Sequence, residues 1–144
     1  MKSREEIRDL LEKYILNEAL RNHCLMVANA MEAYAKKKGK DIETVEKWWT
    51  AGALHDLDWE IYPKQHPNKT IEEILPKEGI NDKEILEAIK AHAPARTGKE
   101  PEKEMERYLF ACDELSGFIN AVSLLRPTGF KGMKIKSVKK RLKS

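Results

Sequence analysis

Apolar residues recur at three- and four-residue steps through every long segment of this chain, and nowhere do they alternate with polar residues for long enough to make a strand. That pattern restricts the chain to helices packed face to face, an all-α domain. Residues 3–16 place Ile7, Leu10, Leu11 and Tyr14 on one face. A second helix starts from a cap at Asn17, ends near Lys38 ahead of Gly39, and sends Leu20, His23, Cys24, Val27, Met31 and Tyr34 inward. Asp41 caps a third helix over residues 42–55, with Val45, Trp48, Trp49, Ala53 and Leu54 as its apolar set. Its C-terminal end delivers the adjacent pair His55 and Asp56.

A loop over residues 57–67, marked by Pro63 and Pro67, holds Asp58, Trp59, Glu60, Tyr62, Lys64 and His66. A short helix follows over residues 70–75. The next begins at Asn81, with Glu84 three residues on, and turns Ile85, Ala88, Ile89 and His92 inward. Residues 93–101, with Pro94, Gly98 and Pro101, read as a loop. A long helix over residues 102–125 carries Phe110, Asp113, Gly117, Ala121 and Leu124 in register, so Asp113 faces inward at mid-helix. The expectation is a bundle of about six helices in one domain, residues 1–130, followed by a basic tail, residues 131–144.

The 144 residues suffice for one hydrophobic core. No apolar stretch approaches the eighteen or so residues of a membrane span, and the charged start does not resemble a secretion signal. Cys24 and Cys112 fall in apolar helical patterns without zinc-type spacing, which reads as buried reduced thiols; a cytoplasmic protein is expected. Seven Lys/Arg and no acid occupy residues 131–144, which, from a total of +3, leaves −4 on residues 1–130. Basicity therefore belongs to the tail. Its cations could contact nucleic-acid phosphates, but no aromatics are interleaved among them, which favours a solvated end.

Four helical segments each send a polar residue inward: His23, the His55 and Asp56 pair, His92, and Asp113. A buried carboxylate without a partner costs several kcal/mol, and no Lys or Arg is expected on these inward faces. A cation held by His23, His55, Asp56 and Asp113 would satisfy all four groups together. Mixed nitrogen and oxygen donors favour Mn, Fe, Co or Ni over Ca, and the lack of cysteine ligands argues against structural zinc.

The ordered set His23, His55-Asp56, Asp113 resembles the H…HD…D pattern of the HD-domain superfamily of metal-dependent phosphohydrolases, over residues 15 to about 127. The segments 53–58 (Ala-Leu-His-Asp-Leu-Asp), 111–117 (Ala-Cys-Asp-Glu-Leu-Ser-Gly) and 125–127 (Leu-Arg-Pro) look particularly like small stand-alone HD hydrolases. The resemblance implies a helical bundle and one metal on His23, His55, Asp56 and Asp113. Some branches add two histidines between the HD pair and the last Asp and hold a second metal. His92, on an inward stripe, and His66, on a proline-flanked loop where solvent exposure is an equal alternative, occupy that interval.

The implied reaction is hydrolysis of a phosphomonoester or phosphodiester of a nucleotide or other small metabolite by a metal-activated water. Asp58 and Glu60 are then candidates to orient the water or move a proton. Lys64, Lys90, Arg96 and Arg126 are candidates to grip phosphate. Trp59 and Tyr62 could stack on a base, although covering the core is the commoner job for such aromatics. Two other readings stand beside this one: an HD-fold di-iron oxygenase, which requires His66 and His92 as ligands, and a non-catalytic metal-binding or nucleic-acid-binding module.

Overall fold

Ser3 opens the first helix, α1 (Arg4–Tyr14): its hydroxyl accepts the Glu6 N–H, and the Glu6 carboxylate accepts the Ser3 N–H. Asn17 and Asp41 act similarly at the starts of α2 (Glu18–Lys37) and α3 (Ile42–Leu54), their side chains accepting the N–H groups of Leu20 and Thr44. Gly39, at φ 72°, turns the chain between the two helices. α2 and α3 form the most extensive helix pair of the fold. Gly52 permits their close crossing, since a Cβ there would lie 2.7 Å from the Ala28 Cα.

The structure is a computed structural model and describes residues 1–143. After α3 the chain makes tight turns, including a single 3-10 turn (Pro63–Gln65), and then a wide π-type turn (Thr70–Ile74) that runs directly into α4 (Leu75–Lys77). Asp82 caps α5 (Lys83–Ala91) through the Ile85 N–H, one residue later than the sequence pattern suggests. α6 (Pro94–Thr97) is a single turn ended by Gly98 at φ 74°. α7 (Glu104–Leu124) starts where the buried Glu106 carboxylate accepts the N–H groups of Glu102 and Lys103. α8 (Ile135–Leu142) lies against α7 with most of its basic side chains exposed.

The described residues therefore form eight helices and no strand, rather than about six; beyond the six are the single turn α6, expected as loop, and α8, which falls in the basic end at residues 134–143 for which the sequence already offers a helix. α6 begins at Pro94, whose preset φ stabilises a short helical turn that periodicity cannot register. The core joins Ile7 and Leu11 of α1, Met31 of α2, Trp49 and Leu54 of α3, Ile85 and Ile89 of α5, and Leu109 of α7. Burying each such side chain contributes about 1.5–3 kcal/mol. Trp49 is wholly enclosed, its indole N–H donating to Asn29 Oδ1 at 3.3 Å and the Arg4 guanidinium lying 4.6 Å above the ring. Arg4 in turn pairs with Glu32 and Glu46, tying α1 to α2 and α3.

One expected face is displaced. On α7 the buried row is Met105, Leu109, Cys112 and Ser116, while Gly117, Ala121 and Leu124 are exposed, Leu124 by 79%. Polar Glu106 and Ser116 occupy buried positions, so an apolar-only reading settles one residue off the core. Phe110 and Asp113 consequently sit on the rim of the bundle, half-buried. Cys24 and Cys112 are buried free thiols, and burial pushes them up to about 12 and about 11. Among the described residues no helix is long and apolar enough to cross a membrane.

Candidate metal centre

Two histidines are aimed by the ends of their own helices. The last carbonyls of a helix have no intrahelical partner, and His55, the C-cap of α3, uses one: its Nδ1–H donates to the Gly52 carbonyl at 2.6 Å. His92, the C-cap of α5, donates its Nδ1–H to the Ile89 carbonyl, which also accepts the His92 backbone N–H at 3.3 Å. A carbonyl can only accept, so Nδ1 carries the hydrogen and Nε2 is left either to present a lone pair to a cation or to take a second proton. His66 reaches the same state by another route, its Nδ1–H donating to Asp58 Oδ1 at 2.6 Å.

Those Nε2 atoms converge on carboxylates. His55 Nε2 lies 3.1 Å from Asp113 Oδ1 and 3.2 Å from Asp56 Oδ2; His23 Nε2, from α2, lies 2.9 Å and 3.5 Å from the same two oxygens. The other oxygen of Asp56 faces the opposite way. His66 Nε2 is 3.4 Å and His92 Nε2 3.6 Å from Asp56 Oδ1, and the two nitrogens are 3.2 Å apart. Two groups of atoms thus share Asp56: His23, His55, Asp56 and Asp113, and Asp56, His66 and His92.

Acceptors facing acceptors repel unless a cation sits among them. Donors bound about 2.0–2.2 Å from one transition-metal ion at right or tetrahedral angles are about 3.0–3.5 Å from each other, and the separations here, 2.9–3.6 Å, match that spacing. The donor chemistry therefore fits a divalent ion in each group. Without one, protons must serve. Burial pulls His23 down, but hydrogen bonds to Asp113 and Asp56 outweigh it and push the imidazole up to about 9. His55 is likewise raised, with burial opposed by the Asp56 charge. Burial works against the charged forms of Asp56 and Asp113, yet the His55 charge and hydrogen bonds from His23 and His55 hold both well below the usual carboxylate range.

A cavity of about 550 Å³ opens over the cluster, a size suited to a small metabolite. Asp56, Asp113, His66 and His92 form its floor, and Trp59, Arg96, Phe110 and Glu114 stand among its walls. Arg96 is fixed in place: its guanidinium donates to the Pro63 carbonyl at 2.8 Å and lies 5.2 Å from the Trp59 ring centroid. Sequence reasoning misses Glu114, although it follows Asp113 directly and sits one turn after Phe110, so its place on the same rim is readable from the helical period.

Beyond the cluster, where His66 belongs, most of the other expected site residues lie outside the cavity. His66 is buried, not a solvent-exposed loop histidine. Asp58 is 0% exposed and sits behind His66, away from the cavity. Glu60 accepts the N–H groups of Leu16 at 2.6 Å and Asn17 at 2.9 Å, so it anchors the entry to α2 rather than meeting a water over the cluster. Lys64, exposed in its 3-10 turn, and Lys90 are outside the cavity lining. Arg126 donates to the Gly129 and Lys131 carbonyls and braces the turn after α7. Tyr62 packs against the core, with Lys69 4.7 Å from its ring.

A family model described as HD domain matches residues 20–117, which spans every donor in both groups. No curated protein and no solved structure matches the chain.

Proposed function

The chain belongs to the HD-domain family, whose members are generally metal-dependent hydrolases, and we propose that it is a divalent-metal-dependent phosphohydrolase acting on a phosphomonoester or phosphodiester of a nucleotide or similar small metabolite. The observation that carries this reading is the sharing of Asp56, one oxygen in each donor group, beneath a cavity that also holds an anchored arginine. His23, His55, Asp56 and Asp113 would hold one ion, and Asp56, His66 and His92 a second. A divalent ion in such a site acidifies a coordinated water and withdraws charge from a phosphoryl oxygen.

The remaining tasks fall to the protein. Arg96 binds the phosphate, its planar fork held ready by Pro63 and Trp59 so that little side-chain entropy is lost on binding. Trp59 and Phe110 give the open cavity apolar walls against which a substrate can pack. Glu114, on the wall beside Asp113, takes the proton from the attacking water or delivers it to the leaving oxygen. The basic tail stands outside the cavity and takes no part in the reaction.

Protein purified without chelator should contain a transition metal and release product from p-nitrophenyl phosphate, bis(p-nitrophenyl) phosphate or a nucleotide panel only with divalent ions. Asp56→Ala should abolish both properties, and retained metal and activity in that variant would overturn the assignment. A second reading is favoured by one observation, the meeting of His66 and His92 at Asp56. Such a pair also suits a di-iron oxygenase. Two irons per chain with near-ultraviolet absorption, and no phosphoester hydrolysis, would select it.

A further inference from the structure

We propose that Asp58 is the positioning residue that creates the second metal subsite, by holding His66 in the one tautomer and orientation that can ligate. This rests on the reading of the cluster as a metal centre, and it makes the two subsites unlike in construction. His55 and His92 are aimed by the carbonyl three residues back in their own helices, Gly52 and Ile89. His66 follows a 3-10 turn and precedes Pro67, so no helix end of its own takes its Nδ1–H. Asp58 Oδ1 accepts that hydrogen at 2.6 Å, and Oδ2 accepts the Thr70 N–H at 2.9 Å.

The Asp58 side chain is fully enclosed, and among the described residues no Lys or Arg pairs with it; its side-chain partner is the His66 imidazole. A buried carboxylate so placed is expensive unless its hydrogen bonds are charge-assisted and complete. Here one is spent on the imidazole and the other on fixing the far end of the same loop, so residues 57–70 close around a single side chain. An anionic acceptor also makes Nε2 a better electron donor than a carbonyl acceptor would, and losing such a partner typically costs about 10- to 100-fold in metal affinity. The first group is built without Asp58, its donors coming from α2, the end of α3 and α7. Removal of the Asp58 charge should therefore empty one subsite and spare the other.

The test is titration of the metal-free full-length protein and of Asp58→Asn, Asp58→Ala and His66→Ala with Mn(II) by calorimetry, and with Co(II) followed by its visible absorption. The expected result is two ions per chain in the unmodified protein. In the Asp58 variants one ion should bind with unchanged affinity and the second about 10- to 100-fold more weakly; His66→Ala, which removes the ligand itself, should weaken the second ion at least as much, and in each variant the Co(II) signal of the second ion should be lost while that of the first is kept. Thermal unfolding of the metal-free variants separates metal loss from misfolding, and Asn, which keeps an acceptor oxygen, covers the case in which Ala fails to fold. Two ions at unchanged affinity in Asp58→Asn, or equal weakening of both, would overturn the proposal while leaving the metal centre intact. An unmodified protein that binds no Mn(II) or Co(II) would overturn the metal reading itself.

Discussion

Replacing Gly52 by Ala sets two effects of known size against each other. Inside a helix Ala is favoured over Gly by about 0.8–1.0 kcal/mol. At residue 52, however, the new Cβ would lie 2.7 Å from the Ala28 Cα, 2.8 Å from its N and 3.0 Å from the Val27 carbonyl carbon. Ordinary carbon contacts are about 3.5–4.0 Å, and these neighbours are backbone, so no rotamer change relieves them. α2 and α3 must separate by roughly 1 Å, an overpacking cost at the upper end of about 1–3 kcal/mol. The clash wins, with a net loss of about 1–2 kcal/mol. For a chain of this size that corresponds to a fall in Tm of roughly 3–8 °C.

The same separation pulls His23 on α2 from His55 at the end of α3 and shifts the Gly52 carbonyl that aims His55, so affinity for the first ion should fall too. Gly117 supplies the control, since it is helical and exposed, and a Cβ there would meet nothing within 4 Å. Gly117→Ala should raise Tm by a few degrees from helix propensity alone. Thermal unfolding and Mn(II) titration of both variants read these effects. A Gly52→Ala protein as stable and as metal-avid as the parent would refute the tight crossing, and a destabilised Gly117→Ala would refute the propensity argument.

Three further outcomes follow from the site. Arg96→Ala should raise KM for an anionic phosphoester about tenfold or more while leaving metal content unchanged; Arg96→Lys should recover only part, because the fork and its stacking on Trp59 are lost. The metal-free protein should be most stable between about pH 4 and pH 6.5. His23 is raised from 6.5 to about 9, so its contribution is complete below 6.5 and disappears as pH rises through about 9. Asp56 and Asp113 are depressed from 3.8, so theirs is complete above 3.8 and is lost on acidification. Urea unfolding in EDTA across pH measures this, and equal stability at about pH 6 and pH 10 would contradict it. Glu60→Ala should lower stability by about 1 kcal/mol, as loss of a cap does, with unchanged kcat; a large fall in kcat would return Glu60 to the chemistry.

The helical class and the placing of His23, His55 and Asp56 are legible in the sequence because helical periodicity assigns side chains to faces; Asp113 is read from a stripe one residue off the core, and it meets the cluster because its half-buried carboxylate on the rim still lies beside His23 and His55. His92 is legible from the same periodicity. The neighbours of these residues are not. His66 is delivered by turns whose path depends on Asp58, and no periodicity governs a loop. Gly52 has no side chain to enter any apolar pattern, so the crossing at Ala28 is invisible in the sequence. Glu106 escapes a periodicity reading because its burial depends on two backbone N–H groups that only the start of α7 brings within reach. Lys64 and Arg126 show the opposite error: lying on a segment that flanks the site elements does not place a cation in the cavity.

The mixed origin of the donors also sets two clocks. His23, His55 and Asp113 are carried by helices packed through the core, so the backbone that positions them opens only at a cost close to that of global unfolding. His66 hangs on residues 57–70, which can open by local fluctuation on a far shorter timescale. Metal exchange should accordingly be biphasic, one phase tracking the hydrogen exchange of α3 amides and the other that of the loop.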